Sequence, residues 1–295
     1  MANAVKQDGL LRISLMDGHA RAFLADTTET VAAAKRIHGL SRTATAALGR
    51  MLTATAINAA MLKNETDSVT CRICGGGPIG TVLAVGKPNG DVKGCVDVPD
   101  VELERNGPKL NVGGAIGTDG DLTVIKDQGL KMPYIGKVPL VSGEVAEDFT
   151  LYFASSEQTP SVVSLGVLVG EEVVSAGGLV VQIMPGATEA DIQSVEYSTG
   201  MFKDISATLR DYPLRDAVTQ LLLHLDPVIL DSRPVRYRCD CSRERISGAL
   251  IAMGKQELRA MIDEDGKADV KCHFCNKTEH FGKEELEALY QSALR

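Results

Sequence analysis

The 295-residue sequence has no tryptophan, and aromatic residues make up only 4% of it. A stacking platform for single-stranded nucleic acid is therefore poorly supported, because such platforms line up aromatic faces along the strand. Positive charge is also scarce: 31 Lys and Arg stand against 39 Asp and Glu, a net charge of −8. Phosphate affinity rests on clustered basic residues, so nucleic acid is not the expected partner. No apolar run reaches the roughly 18 residues of a membrane span. The opening "MANAVKQDGLLRISLMDGHARAF" lacks the continuous apolar core of a signal peptide. A cytoplasmic protein without membrane contact is the expectation.

Signatures of catalytic turnover are missing too. There is no G-x-S-x-G and no compelling carboxylate pair, and His19, His38 and His224 are isolated, which suits structural roles. "GGGPIG" lacks the Lys-Ser/Thr of a phosphate-binding loop and reads as a β-turn. The chain is not expected to be an enzyme.

What is present divides into three parts. "DTTETVAAAKRIHGLSRTATAALGRMLTATAINAAMLKN" predicts two helices, the first capped by Asp26 or Thr27 and ended by Gly39, the second capped by Ser41. In the second, Ala44, Leu48, Leu52, Ala56 and Ala60 form an apolar stripe whose small residues permit close packing. From about residue 67 the pattern turns to strands, among them "GDLTVIKD" and a pair around Gly170-Glu171; "EVAEDFTLYFASSEQTP" reads as a helix. The fold class is α+β, with residues 1–185 as a domain of packed sheets and helices. Residues 186–231 predict a helical linker, in which Pro213 opens a helix and Leu214, Val218, Leu221, Leu222 and Leu225 share one face. Residues 232–295 form a small C-terminal domain. It is nearly neutral, with 12 Lys and Arg against 11 Asp and Glu, and its last helix carries Leu286, Leu289, Tyr290 and Leu294 on one stripe.

Four of the seven cysteines lie in that tail, as a CxC in "RYRCDCSRER" and a CxxC in "CHFCNKTEH". Thiols stay reduced in the cytosol, so paired cysteines there read as metal ligands or redox devices before structural disulfides. A core of this size supplies only about 3–5 kcal/mol, whereas a structural zinc can contribute roughly 10–16 kcal/mol in small peptides. Cys239, Cys241, Cys272 and Cys275 are the expected ligands of one Zn2+ per chain, a closed tetrahedral shell. His273 and His280 are near enough to be alternatives but read better as surface residues. The CxC is unusual: one intervening residue holds two thiolates close together beside Arg238, Arg243 and Arg245. Such thiolates remain nucleophilic, and oxidising them would strip the ion of its ligands. "TCRICGGGPIG" offers another CxxC, but Val69, Cys71 and Ile73 alternate as in a strand, which points Cys74 to the opposite face. Cys71, Cys74 and Cys95 therefore read as strand cysteines outside the site.

The CxC, the 30-residue spacer and the terminal CxxC resemble the bacterial redox-regulated 33 kDa chaperonin (heat shock protein 33) family. So do "HGLSRTATAALGRMLTATAINAAMLK", "GGGPIGTVLAV", "SSEQTPSVVSLGVLV" and "CHFCNKTEHF", which follow that family's order over nearly the whole chain. The resemblance implies an ATP-independent holdase, zinc-bound and inactive when reduced. Oxidation would form Cys239–Cys241 and Cys272–Cys275, release zinc and unfold the tail and linker. Exposed apolar surface would then hold unfolding client proteins, the active form being a homodimer with the first domain binding clients and dimerising. Strain in a closed CxC suggests that Cys272–Cys275 forms first. The alternative from another class is a zinc-binding module that recognises RNA or a protein partner with its metal in place. A disulfide oxidoreductase built on Cys71 and Cys74 is a third.

Overall fold

A computed structural model describes residues 7–105, 107 and 109–293. The chain divides into two compact units, residues 1–238 and 239–295.

The first unit opens with a hairpin, β1 (Gly9–Leu15) and β2 (Ala20–Asp26), then two helices, α1 (Thr28–His38) and α2 (Arg42–Ala60). Strands β3 (Ser68–Cys74), β4 (Thr81–Gly86) and β5 (Asp91–Val96) follow, with the short α3 (Val112–Ile116), β6 (Asp121–Asp127) and β7 (Tyr134–Pro139). After α4 (Ala146–Ser155) come the long strands β8 (Ser161–Val169) and β9 (Val173–Ile183). Three helices succeed them: α5 (Glu189–Phe202), α6 (Ile205–Asp211) and α7 (Leu214–Leu222). Strands β10 (Val228–Pro234) and β11 (Arg236–Tyr237) complete the unit. One sheet has the order β10-β1-β2-β9-β8, the other β11-β5-β4-β3-β6-β7. The fold is mixed α+β.

Helix α2 packs against strands of both sheets, and 16 of its 19 residues are buried. Of the expected stripe, Ala44, Leu48, Leu52 and Ala56 are buried and Ala60 is half-buried; Thr43, Thr45, Thr53, Thr55 and Asn58 on the other faces are buried too. Several of these polar side chains satisfy themselves within the helix: Thr45 donates to the Ser41 carbonyl at 2.6 Å, Thr53 to Gly49 at 2.8 Å and Asn58 to Ala54 at 2.9 Å. A short side chain bonded to the preceding turn can be buried at little cost. Close approach also depends on Gly49, where a Cβ would come within 2.8 Å of both Val31 and Val167.

Ser41 caps α2 as expected, its hydroxyl accepting from the Ala44 amide at 3.1 Å, and Gly39 ends α1 in the left-handed region at φ 62°. At the start of α1 both expected residues take part, in different roles. Thr27 occupies the cap position but its hydroxyl pairs with Thr53 at 2.7 Å. Two carboxylates serve the free amides instead: Asp26 accepts from Thr28 at 3.1 Å, and Asp8 accepts from Glu29 at 2.9 Å and Thr30 at 2.6 Å. Burial pushes the Asp8 carboxyl up to about 6, against the lowering effect of those hydrogen bonds and with the Asp26 charge adding to the rise.

Helices α5 to α7 cover one face of the β1-β2-β9 sheet. Leu11, Ile13, Leu15, Leu24, Leu179 and Val181 from the strands meet Val195, Phe202, Leu209, Val218, Leu221, Leu222 and Leu225 in a second core. Within this unit the leucine stripe of α7 is covered by the sheet. Pro227 precedes β10 and Pro234 is its last residue; the strand lies at the sheet edge, antiparallel to β1. An edge strand tolerates the missing amide of Pro234.

The second unit contains α8 (Arg243–Met253), α9 (Lys255–Glu264), a hairpin of β12 (Lys267–Lys271) and β13 (Thr278–Gly282), and α10 (Lys283–Ala293). Among the described residues its core is five buried side chains: Leu250, Leu258, Ile262, Phe281 and Leu286. Leu289 and Tyr290 pack against it. Leu294, expected on the same stripe, lies outside the described residues. No helix among the described residues is long and apolar enough to cross a membrane.

Candidate metal centre

Each cysteine pair sits in a turn fixed by local hydrogen bonds. Cys272 to Lys277 form the tip of the β12–β13 hairpin. There the Cys272 amide donates to the Lys277 carbonyl at 2.8 Å and the Asn276 amide to the Cys272 carbonyl at 2.9 Å. Asn276 adopts φ 58°, a conformation that asparagine tolerates better than most residues. The sequence does not announce this hairpin, because "KADVK" and "TEHFG" lack the β-branched alternation of a strong strand. Cys239 and Cys241 lie just ahead of α8, which is capped by Ser242, its hydroxyl accepting from the Arg245 amide at 3.3 Å.

The two turns bring all four sulfurs together. Every pair of Sγ atoms among Cys239, Cys241, Cys272 and Cys275 lies within 4.8 Å. The contacts between turns include Cys239–Cys272 at 3.7 Å and Cys241–Cys275 at 3.4 Å. A tetrahedral ion with metal–sulfur bonds of about 2.3 Å sets its sulfurs about 3.8 Å apart, so the cluster has the dimensions of a four-thiolate metal shell. Disulfide sulfurs would be about 2.05 Å apart, and all seven cysteines are thiols. His273 and His280 are exposed and outside the cluster; His280 Nδ1 instead pairs with Asp269 at 2.6 Å.

Burial raises the thiols of Cys239 and Cys241, and hydrogen bonds with Cys275, Cys239 and Cys272 raise Cys241 further. Cys272 is lowered. Burial is the largest single influence and opposes this, but amide donors from Phe274 and Cys275, with the Cys275 and Cys239 sulfurs, together outweigh it. Four thiolates this close repel one another strongly unless a cation sits among them, and soft sulfur donors suit zinc. The donor set fits the ion expected from the sequence.

The arginines flanking the CxC face carboxylates. Arg238 lies 3.9 Å from Asp91, Arg245 pairs with Asp240 at 2.6 Å, and Arg243 is taken up by Glu279 at 2.8 Å and Glu285 at 2.7 Å. Their neighbourhood in sequence was visible, but the partners of Arg243, up to 42 residues away, were not.

The remaining cysteines are elsewhere. Cys71 on β3 is fully buried, its thiol pushed up to about 12 by burial, while Cys74 at the end of the same strand is half-buried. The alternation of buried Val69, Cys71 and Ile73 puts Cys74 on the opposite face, as expected. Cys95 is half-buried on β5. Two of the isolated histidines have structural partners: His38 Nε2 is 3.0 Å from the Tyr237 hydroxyl, and His19 Nδ1 is 2.9 Å from Asp191.

Comparison with known proteins agrees with this arrangement. The family model described as Hsp33 protein matches residues 8–282. The 33 kDa chaperonin of Clostridioides difficile (strain 630) is 50% identical over 284 residues, covering 95% of this chain and 97% of that protein. That of Bacillus licheniformis is 45% identical over 285 residues, covering 96% and 98%. The crystal structure of the 33 kDa chaperonin (heat shock protein 33 homologue) of Thermotoga maritima matches with a TM-score of 0.88 at 36% identity. The match spans 98% of this chain and 99% of that one.

Proposed function

Because the chain belongs to the Hsp33 protein family, a family of chaperones, we propose that it is a redox-regulated, ATP-independent holdase of the cytoplasm. The observation that carries this reading is the convergence of a CxC and a CxxC, with all sulfurs within 4.8 Å, in a unit whose own core is five side chains. Zinc bound by Cys239, Cys241, Cys272 and Cys275 would cross-link the two turns as a closed shell and would be released once disulfides consume its ligands.

The chain's residues then act as the sensor. One thiolate of Cys272 and Cys275 attacks a peroxide oxygen and expels hydroxide; the other attacks the resulting sulfenic sulfur and expels a second hydroxide. Two thiolates give up two electrons, one disulfide forms, and the peroxide leaves as two hydroxides that take protons from solvent to become water. Cys239–Cys241 follows by the same chemistry. Strain in the smaller CxC ring favours this order, and mass mapping of early products with Cys239–Cys241 ahead would overturn it. Without its cross-link the tail has too little core to stay folded.

Residues 186–231 act as the connector that responds. If α5 to α7 lift from the sheet, they uncover Leu11, Ile13, Leu15, Leu24, Leu179 and Val181 on one side and their own leucine stripe on the other. A patch of this kind suits unfolding clients. The active form is a homodimer, with client capture and dimerisation assigned to residues 1–185.

Zinc release to a chromophoric chelator and suppression of citrate synthase aggregation, measured before and after warm peroxide, test the reading together. About one zinc per chain released, with holdase activity that reductant reverses, is expected. Zinc retained, or lost with no holdase activity, would leave a structural staple and favour a constitutive zinc module.

A further inference from the structure

Arg243 lies two residues beyond Cys241, in the first turn of α8, yet every group its side chain meets belongs to the other half of the cysteine site. Nη1 donates to Glu279 Oε2 at 2.8 Å, and Nη2 donates to the His280 carbonyl at 2.8 Å and to Glu285 Oε1 at 2.7 Å. The guanidinium carbon stands 4.4 Å from the centre of the Phe281 ring, itself buried in the tail core. Glu279, His280 and Phe281 are on β13, directly after the CxxC turn. Glu285 begins α10, and its second oxygen accepts from the Gly282 amide at 3.0 Å. One planar fork thus ties the CxC turn to the CxxC hairpin without using a sulfur, a geometry that lysine cannot reproduce.

We propose that Arg243 is a positioning residue that braces the CxC turn against the CxxC hairpin and thereby sets the interval between the two oxidation steps. The proposal rests on the oxidation-switch reading above and adds a residue to it. When peroxide converts Cys272 and Cys275 to a disulfide, with two waters as the reduced product, Cys239 and Cys241 lose both sulfur partners. The Arg243 contacts to Glu279, Glu285 and Phe281 remain. They hold the CxC turn in the shape that met four sulfurs, so its own closure waits until the brace opens. The brace is partly exposed, with 40% of the Arg243 side chain accessible, so salt screens it.

The test is a time course of both disulfides by mass mapping in the full-length, zinc-loaded protein under peroxide at moderate temperature, with zinc release and holdase activity followed in parallel. Arg243→Gln is expected to shorten the interval between Cys272–Cys275 and Cys239–Cys241 by at least about tenfold, since it removes three hydrogen bonds and one charge-assisted bond alone accounts for about that factor. Arg243→Lys should recover only part of it. High salt should shorten the interval in the unmodified chain and leave it unchanged in Arg243→Gln, a response that mere loss of packing would not give. If Arg243→Gln is isolated without zinc, Glu285→Gln, which removes the charge from one arm, takes its place with a smaller shortening, of at most about tenfold, expected. An unchanged interval, or one insensitive to salt in the unmodified chain, overturns the brace. Failure of the unmodified chain to form either disulfide or to gain holdase activity overturns the switch reading instead.

Discussion

Truncating Leu222 to alanine isolates the connector from the redox chemistry. Leu222 is fully buried in the core that α7 makes with the β1-β2-β9 sheet, whereas the adjacent Leu223 is 56% exposed. Removing a buried leucine side chain costs about 2.7–5 kcal/mol, because the lost transfer energy is joined by a cavity the surroundings fill only partly. At about 1.4 kcal/mol per factor of ten, the open connector population rises roughly 100- to 5,000-fold. Leu223→Ala should stay within about 0.5 kcal/mol of the unmodified chain, as surface substitutions generally do. Hydrogen exchange over residues 189–225 reports the opening, and citrate synthase aggregation with reduced, zinc-loaded protein reports the function. Leu222→Ala should exchange faster and hold client without oxidant; Leu223→Ala should do neither. Faster exchange with no holdase activity in the reduced state would refute the assignment of this interface to client capture.

Stripping the metal from reduced protein with a strong chelator should make residues 239–295 sensitive to protease while residues 7–238 resist; a resistant tail would mean that its five-residue core suffices alone. The Asp8 carboxyl, held near 6 in the fold against an ordinary value of 3.8, binds its proton more tightly folded than unfolded. Its stabilising effect is therefore complete below about pH 4 and lost as pH rises through 6, on the order of 3 kcal/mol in all. Urea unfolding between pH 4 and 7 should show this slope, and Asp8→Asn should flatten it; an unchanged slope would assign it to other groups. Cys71, with its thiol pushed up to about 12 by burial, should resist alkylation in the folded protein, and Cys71→Ala should leave zinc stoichiometry and activation unchanged. Loss of zinc in that variant would bring Cys71 into the switch.

The cysteine site was readable because metal-ligand spacing is a local pattern that survives without tertiary context. Helix α2 was readable in its N-terminal cap and most of its stripe, but not in its burial on nearly all sides. Threonine counts as polar in any periodicity, and only in three dimensions do Thr45 and Thr53 turn back to their own helix. Strand β10 was hidden by the prolines at its ends, whose tolerance depends on its edge position. The β12–β13 hairpin was hidden because its strands are half-exposed and polar, held as much by their ladder and the turn as by apolar burial.

Arg243 shows why such omissions fall where they do. A charged residue next to a thiolate pair suggests, from sequence, an influence on those thiolates. The structure gives it a different set of partners, each 36 to 42 residues away, on the strand and helix that follow the other pair. Local sequence can supply the ligands of a small metal unit, because the ion demands particular atoms at particular spacings. It cannot supply the contacts that hold those ligands once they no longer face a common centre, since many polar side chains could serve there. A unit with a five-residue core depends on both kinds of contact. Thiolates are consumed by oxidant and exposed ion pairs are screened by salt, so the two kinds of contact can be perturbed separately.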